Sequence, residues 1–154
     1  MKLTALSSLQ VANYLQLLDV DGDIFMIADL PQFVTGQCIV VNIDPTENGA
    51  GTHWTAFLVG SSNVFYFDSF GAPPPLKIVS LARNAGLPIF WNNFIVQDIN
   101  SDACGYYCVL FLYEMQSRPS KATFNAFVNK FHDNTLQNEH IVFHIFAHLD
   151  SPLV

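Results

Sequence analysis

His53, Asp68, Gln97 and Cys104 place an imidazole, a carboxylate, an amide and a thiol in one chain of 154 residues. Thiol-based acyl transfer requires that set: a nucleophile, a proton carrier, a partner for the carrier and a donor for the oxyanion. Gln97 precedes Cys104 by seven positions within the run Val96-Gln-Asp-Ile-Asn-Ser-Asp-Ala-Cys-Gly105. A strongly apolar segment follows directly.

The elements that must bring these groups together can be read from patterning. Trp54 to Val59 and Val64 to Phe67 flank Gly60-Ser-Ser-Asn63, a hairpin signal. A turn centred between Gly60 and Ser61 pairs residues whose numbers sum to 121, so that Leu58 faces Asn63 and His53 faces Asp68. Opposed residues share a face with Cβ atoms about 4.5–5.5 Å apart, close enough for a carboxylate to hold an imidazole Nδ1–H. A slip of one residue would separate them. Cys104 to Met115 is apolar nearly all round, the mark of a buried helix, and Asn100, Ser101 and Asp102 all suit its N-cap. Unpaired N–H groups and the helix dipole at its start stabilise a thiolate. Gly105 would let a substrate backbone approach closely. The Gln97 side-chain amide and the Cys104 N–H would form an oxyanion hole, worth roughly 3–4 kcal/mol per donor.

Ser7 and Gln10 make a capping box for a helix running to about Leu18. Asp19-Val-Asp21-Gly22-Asp23 has its glycine at position 4 and Leu30 at position 12, so it is a turn and not a calcium loop. Strands are expected at Cys38–Ile43 and Ile89–Val96, with a helix at Leu76–Ala85 closed by Gly86. The prolines after Phe70-Gly71 end the hairpin. Phe124, Phe127, Val128 and Phe131 form an amphipathic stripe, and a last helix runs from about Leu136 to Leu149. The fold class is α+β: one domain over 1–154, with a small, mostly antiparallel sheet and helices packed on it.

Thirteen acidic against six basic residues give a net charge of −7, which argues against binding a nucleic-acid backbone. Three cysteines at unrelated spacings suggest no disulfide framework and fit a reducing compartment. No apolar run reaches the roughly 18 residues of a membrane span, and no signal peptide is legible, so a soluble intracellular protein is expected.

His53-Trp54, then Asp68-Ser-Phe-Gly71, then Gln97 with Cys104-Gly105 resemble the adenovirus-type (adenain-like) cysteine endopeptidases, distant relatives of the ubiquitin-like-protein proteases. The likeness runs from about Leu30 to Met115, and Tyr66 to Pro75 looks closest to versions carried by virophages and virus-like DNA transposons. It implies a papain-like, adenain-like fold whose buried central helix starts at the nucleophile. It further implies Cys104 as nucleophile, His53 as general base and then acid, Asp68 as its orienter, Gln97 as oxyanion donor and Trp54 as a wall of the substrate cleft. The implied activity is cleavage of capsid precursor proteins during virion maturation, beside small residues such as Gly, in the virion and the infected cell. No cofactor or metal is implied, although an activating peptide remains open. The acidic charge argues against activation by DNA. The tethering cysteine of adenovirus members is absent, since the eleventh position before Gln97 is Gly86.

Two other readings use the same residues: removal of a ubiquitin-like modifier, or a non-catalytic capsid or scaffold component that retains the fold. Elsewhere, His140, His144 and His148 recur four apart beside Glu139 and could ligate zinc. Interspersed Ile141, Phe143, Ile145 and Phe146 make a polar stripe on a half-buried helix the simpler reading. Cys38 and Cys108 read as packing. Asp44 and Glu47, in the loop before His53, read as solvated charges that could select substrate.

Overall fold

A computed structural model describes residues 3–44 and 53–150. Ser7 caps α1 (Ser8–Leu17) through the expected box: its Oγ accepts the Gln10 N–H, and the Gln10 side chain accepts the Ser7 N–H. Asp19 follows with φ +56°, the left-handed turn that leads into β1 (Asp23–Met26). That strand was not expected. Its residues are only half-buried or exposed, and an edge strand of four residues leaves little alternation to read. A 3-10 turn at Ile27–Asp29 leads on to β2 (Cys38–Asn42).

Next come β3 (Trp54–Val59), β4 (Val64–Phe67), α2 (Leu76–Asn84) and β5 (Ile89–Trp91). The sheet order is β1-β2-β3-β4-β5. β2, β3 and β4 form the expected antiparallel centre, and the two outer strands join it in parallel. β5 is shorter than Ile89–Val96 because the chain leaves the sheet after Trp91. The loop containing Glu47 lies outside the described residues.

The hairpin register differs from expectation by two. Val59 pairs with Val64, Leu58 with Phe65 and Ala56 with Phe67, so opposed numbers sum to 123. The Gly60 N–H donates to the Asn63 carbonyl at 2.8 Å, making Ser61-Ser62 the turn and pairing apolar residues with apolar ones. A slip of two preserves faces, since side chains alternate with period two. His53 and Asp68 therefore keep a common side at the ends of the two strands.

α3 (Cys104–Met115) packs against β3, with α1, α4 (Lys121–Val128) and α5 (Thr135–Asp150) around it; α2 covers the opposite face. Every residue from Cys104 to Leu112 is buried, as the apolar run requires. The N-cap is Ala103, with no capping side chain, instead of Asn100, Ser101 or Asp102. Ser101 Oγ accepts the Ala103 N–H one step too early to cap the helix. Phe111 stacks on Phe67 at 5.1 Å and meets Phe124 and Phe127 edge-on, each at 5.6 Å. Phe111→Ala should therefore cost about 3–5 kcal/mol, read as a lower urea midpoint at unchanged slope. A cost below about 1 kcal/mol would mean that this aromatic stack does not carry the core.

Candidate active site

Three element ends meet at one point of the sheet. His53 immediately precedes β3, Asp68 immediately follows β4, and Cys104 opens α3. The Trp54 N–H donates to Cys104 Sγ at 3.4 Å, joining the start of the helix to the start of the strand. His53 Nε2 lies 2.8 Å from Asp68 Oδ1. The carboxylate thus holds Nε2 instead of the expected Nδ1, which leaves Nδ1 for a second partner. The Phe70 ring stacks on the imidazole with centroids 5.1 Å apart.

Asp68 is held from both of its ends. Its Oδ1 also accepts the Phe70 N–H at 2.8 Å, and its carbonyl accepts the Gly71 N–H at 2.8 Å. Gly71 has φ +73°, and a Cβ there would fall 2.6 Å from the Phe94 carbonyl carbon, so only glycine fits this turn. Asn92, the first residue past β5, clamps the Asp68 backbone: its Oδ1 accepts the Asp68 N–H and its Nδ2 donates to the Asp68 carbonyl. The imidazole is one-fifth exposed, while the carboxylate is buried. Burial alone would lower the His53 pKa. Hydrogen bonds to Asp68 and to the Cys104 thiol, together with their charges, outweigh that and raise it from 6.5 to about 9.

Gln97 is fully buried. Its Oε1 accepts the Ser69 hydroxyl, and its Nε2 donates to the Ser101 carbonyl at 2.8 Å. That bond uses one of the two N–H groups of the amide. The Ser69 carbonyl accepts the N–H groups of both Val96 and Gln97. Asn92 and Ser69 are the residues that sequence reasoning missed. Ser69 lies inside the Asp-Ser-Phe-Gly string, where the signal was present but carried no assigned role. Asn92 gave none beyond being a polar residue in an expected strand.

A Cβ on Gly105 would meet Leu6 Cδ1 at 3.1 Å and Trp54 Cδ1 at 3.3 Å. The glycine therefore admits the N-terminal segment and the indole. Trp54 is 4% exposed, and its indole N–H donates to the Leu6 carbonyl at 2.9 Å. The indole is thus turned to the N-terminal segment.

Burial pushes the Cys38 thiol up to about 11, with Asp21 and Asp23 adding to it, and pushes Cys108 well above the usual thiol range. Both are buried among core side chains. His140, His144 and His148 lie on the exposed face of α5, and no group of three metal-ligating side chains occurs among the described residues. His140 lines a cleft of about 340 Å³ with Leu3, Asn100, Ser101, Leu136 and Phe143. No helix among the described residues is long and apolar enough to cross a membrane.

No protein-family model matches the chain. Over 109 residues, 58% of its length, it is 34% identical to the protein named Protease of Bovine adenovirus C serotype 10. Over 100 residues, 55% of its length, it is 29% identical to the Protease of Bovine adenovirus 2. These alignments cover 55% and 48% of those proteins, so the chain spans about half the length of the relatives it matches. Among solved structures its fold is similar to that of ChlaDub1 from Chlamydia trachomatis, with a TM-score of 0.55 at 14% identity over 75% of this chain and 62% of that one.

The raised His53 value has a defined sign. A histidine whose folded pKa exceeds its unfolded 6.5 contributes stability in full below pH 6.5 and loses it as pH rises through about 9. Imidazole NMR should show His53 titrating near pH 9, and Asp68→Asn should move that midpoint down. A midpoint at or below 6.5 in the wild type would mean that Asp68 does not hold the ring.

Proposed function

We propose that this chain, 34% identical over part of its length to an adenovirus protease, is an adenain-like cysteine endopeptidase with Cys104 as its nucleophile. The observation that carries this reading is the contact of His53 Nε2 with Asp68, on an imidazole that also has the Cys104 thiol as a hydrogen-bond partner. In the reaction Nδ1 holds the thiol proton while the sulfur attacks the scissile carbonyl carbon. The carbonyl π electrons move onto oxygen, where the second Gln97 N–H and the Cys104 N–H stabilise the charge. As the carbonyl re-forms, the C–N bond breaks and His53 gives its proton to the leaving amine. Water, losing a proton to His53, then attacks the thioester, and the sulfur leaves with that proton returned.

The substrates proposed are viral precursor proteins, capsid proteins among them, cut beside small residues in the virion or the infected cell. The adenovirus names of the relatives support that setting. The net charge of −7 favours a protein or peptide activator over DNA, if the site needs one.

Intact-mass alkylation at neutral pH should modify Cys104 alone, because burial keeps Cys38 and Cys108 protonated with no base beside them, whereas Cys104 has the His53 imidazole as its partner. Cys104→Ala should abolish cleavage of Gly-containing peptides, and Gln97→Ala should lower kcat about 10²–10³-fold. The rate should fall as pH passes about 9, where His53 loses its proton, and Asp68→Asn should bring that fall to lower pH. Labelling spread evenly over the three cysteines would support a non-catalytic scaffold. Turnover of folded ubiquitin-like conjugates but not of peptides would replace the endopeptidase with a deconjugating enzyme.

A further inference from the structure

The first turns of α5 grip the two chain neighbours of Gln97. Asn138 is fully buried, and its Nδ2 donates to the Val96 carbonyl at 2.9 Å across 42 positions of sequence. The Thr135 hydroxyl donates to Asp98 Oδ2 at 3.1 Å. Residues 96 and 98 are therefore tied to one helix, with Gln97 between them.

Both ties continue into the surrounding structure. Asn138 is itself fixed, since its Oδ1 accepts the His132 N–H at 2.7 Å and its Nδ2 also donates to the His132 carbonyl at 2.8 Å. The Asp98 Oδ1 accepts the Asn100 N–H, and the Asp98 carbonyl accepts the Ser101 N–H. The Ser101 carbonyl takes the Gln97 Nε2, and the Ser101 hydroxyl takes the Ala103 N–H. One turn further along α5, Glu139 accepts the Tyr107 hydroxyl of α3. The helix thus braces the loop that carries the amide and also the helix that carries the thiol.

A fully buried asparagine is costly to keep unless its hydrogen bonds are made, and all of those made here serve one loop and one turn. No other buried polar side chain outside the residues around Asp68 and Gln97 reaches that loop among the described contacts. We propose that Thr135 and Asn138 are positioning residues which, through Val96 and Asp98, set where the Gln97 amide points. The inference rests on the endopeptidase reading, in which Gln97 stabilises an oxyanion. They touch neither substrate nor thiol and act only through Gln97.

That dependence gives a test which separates positioning from bulk stability. Thr135→Val removes one hydroxyl at nearly constant volume, and Thr135→Ser restores it. In Thr135→Val, kcat for peptide cleavage should fall about ten- to a hundredfold with KM nearly unchanged. Iodoacetamide alkylation of Cys104 creates no oxyanion, so its rate and the alkaline limb near pH 9 should stay as in the wild type. Thr135→Ser should recover kcat. In a Gln97→Ala background the same Thr135→Val change should cost less than about twofold, because the group it positions is gone. Asn138→Ser, if folded, should follow the same pattern.

Wild-type kcat in Thr135→Val would overturn the proposal. So would equal losses with and without Gln97, or alkylation falling in step with turnover. If the wild type cleaves no peptide, the endopeptidase reading fails separately. Amide exchange at residues 96 to 98 then decides the clamp: faster exchange in Thr135→Val but not in Thr135→Ser supports it, and unchanged exchange overturns it.

Discussion

Cys104 is at once the first residue of α3 and the acceptor of an N–H from the first residue of β3, at 3.4 Å. That hydrogen bond ties the sulfur to the strand whose preceding residue is His53, so imidazole and thiol are brought together by one peptide bond and one N–H···S contact. Burial of α3 on all sides makes the arrangement rigid. The helix cannot slide along β3 without opening voids around Phe111 and Tyr107, and interiors at crystal-like density resist that. Gly105 takes part as well, because only its bare Cα lets Leu6 and the Trp54 indole close over the first turn. The site is a consequence of how one apolar helix is seated.

The polar half of the site is assembled differently. Asp68, Ser69, Asn92, Gln97 and Asn138 are all buried, and burying such groups unpaired would cost several kcal/mol each. They are paired with one another and with the loops that carry them. Asn92 satisfies both backbone groups of Asp68, Ser69 satisfies the Gln97 oxygen, and Asn138 satisfies Val96. Such a network is stable only when every member is satisfied, so it specifies a single conformation of the 68–71 and 92–98 loops. Apolar packing fixes Cys104, while hydrogen bonds between loops fix Asp68 and Gln97.

Legibility in the sequence follows the same division. The capping box at Ser7, the all-apolar run from Cys104 and the β3–β4 hairpin were readable because each is a local pattern with its own period. The register of that hairpin was misread by two, since the pattern constrains parity more tightly than position; parity alone kept His53 and Asp68 on one side. β1 escaped because a short, half-exposed edge strand has no clear alternation. The choice of Nε2 over Nδ1 is a ring orientation set by the Asp68 turn and the Phe70 stack, which no spacing encodes. Asn92, Thr135 and Asn138 were invisible for a further reason. A polar residue in a strand or helix looks the same whether it faces water or a distant loop.

The imidazole orientation bears on how a thiol site differs from a hydroxyl one. A serine hydroxyl keeps its proton until attack, so its histidine must rest neutral and act first as a base. Here the ring lies between the Asp68 carboxylate and the thiol, and those partners raise its pKa to about 9 despite burial. At neutral pH it is therefore mostly protonated. In the reaction proposed above, a ring in that state would act as an acid, and the step it would serve most directly is expulsion of the leaving amine. Asp68 then contributes chiefly by keeping the proton on the ring, and the turn closed by Gly71 and Asn92 contributes by keeping Asp68 in place. On this account the sharp turn after β4 is part of the acid, although none of its backbone touches the reacting atoms.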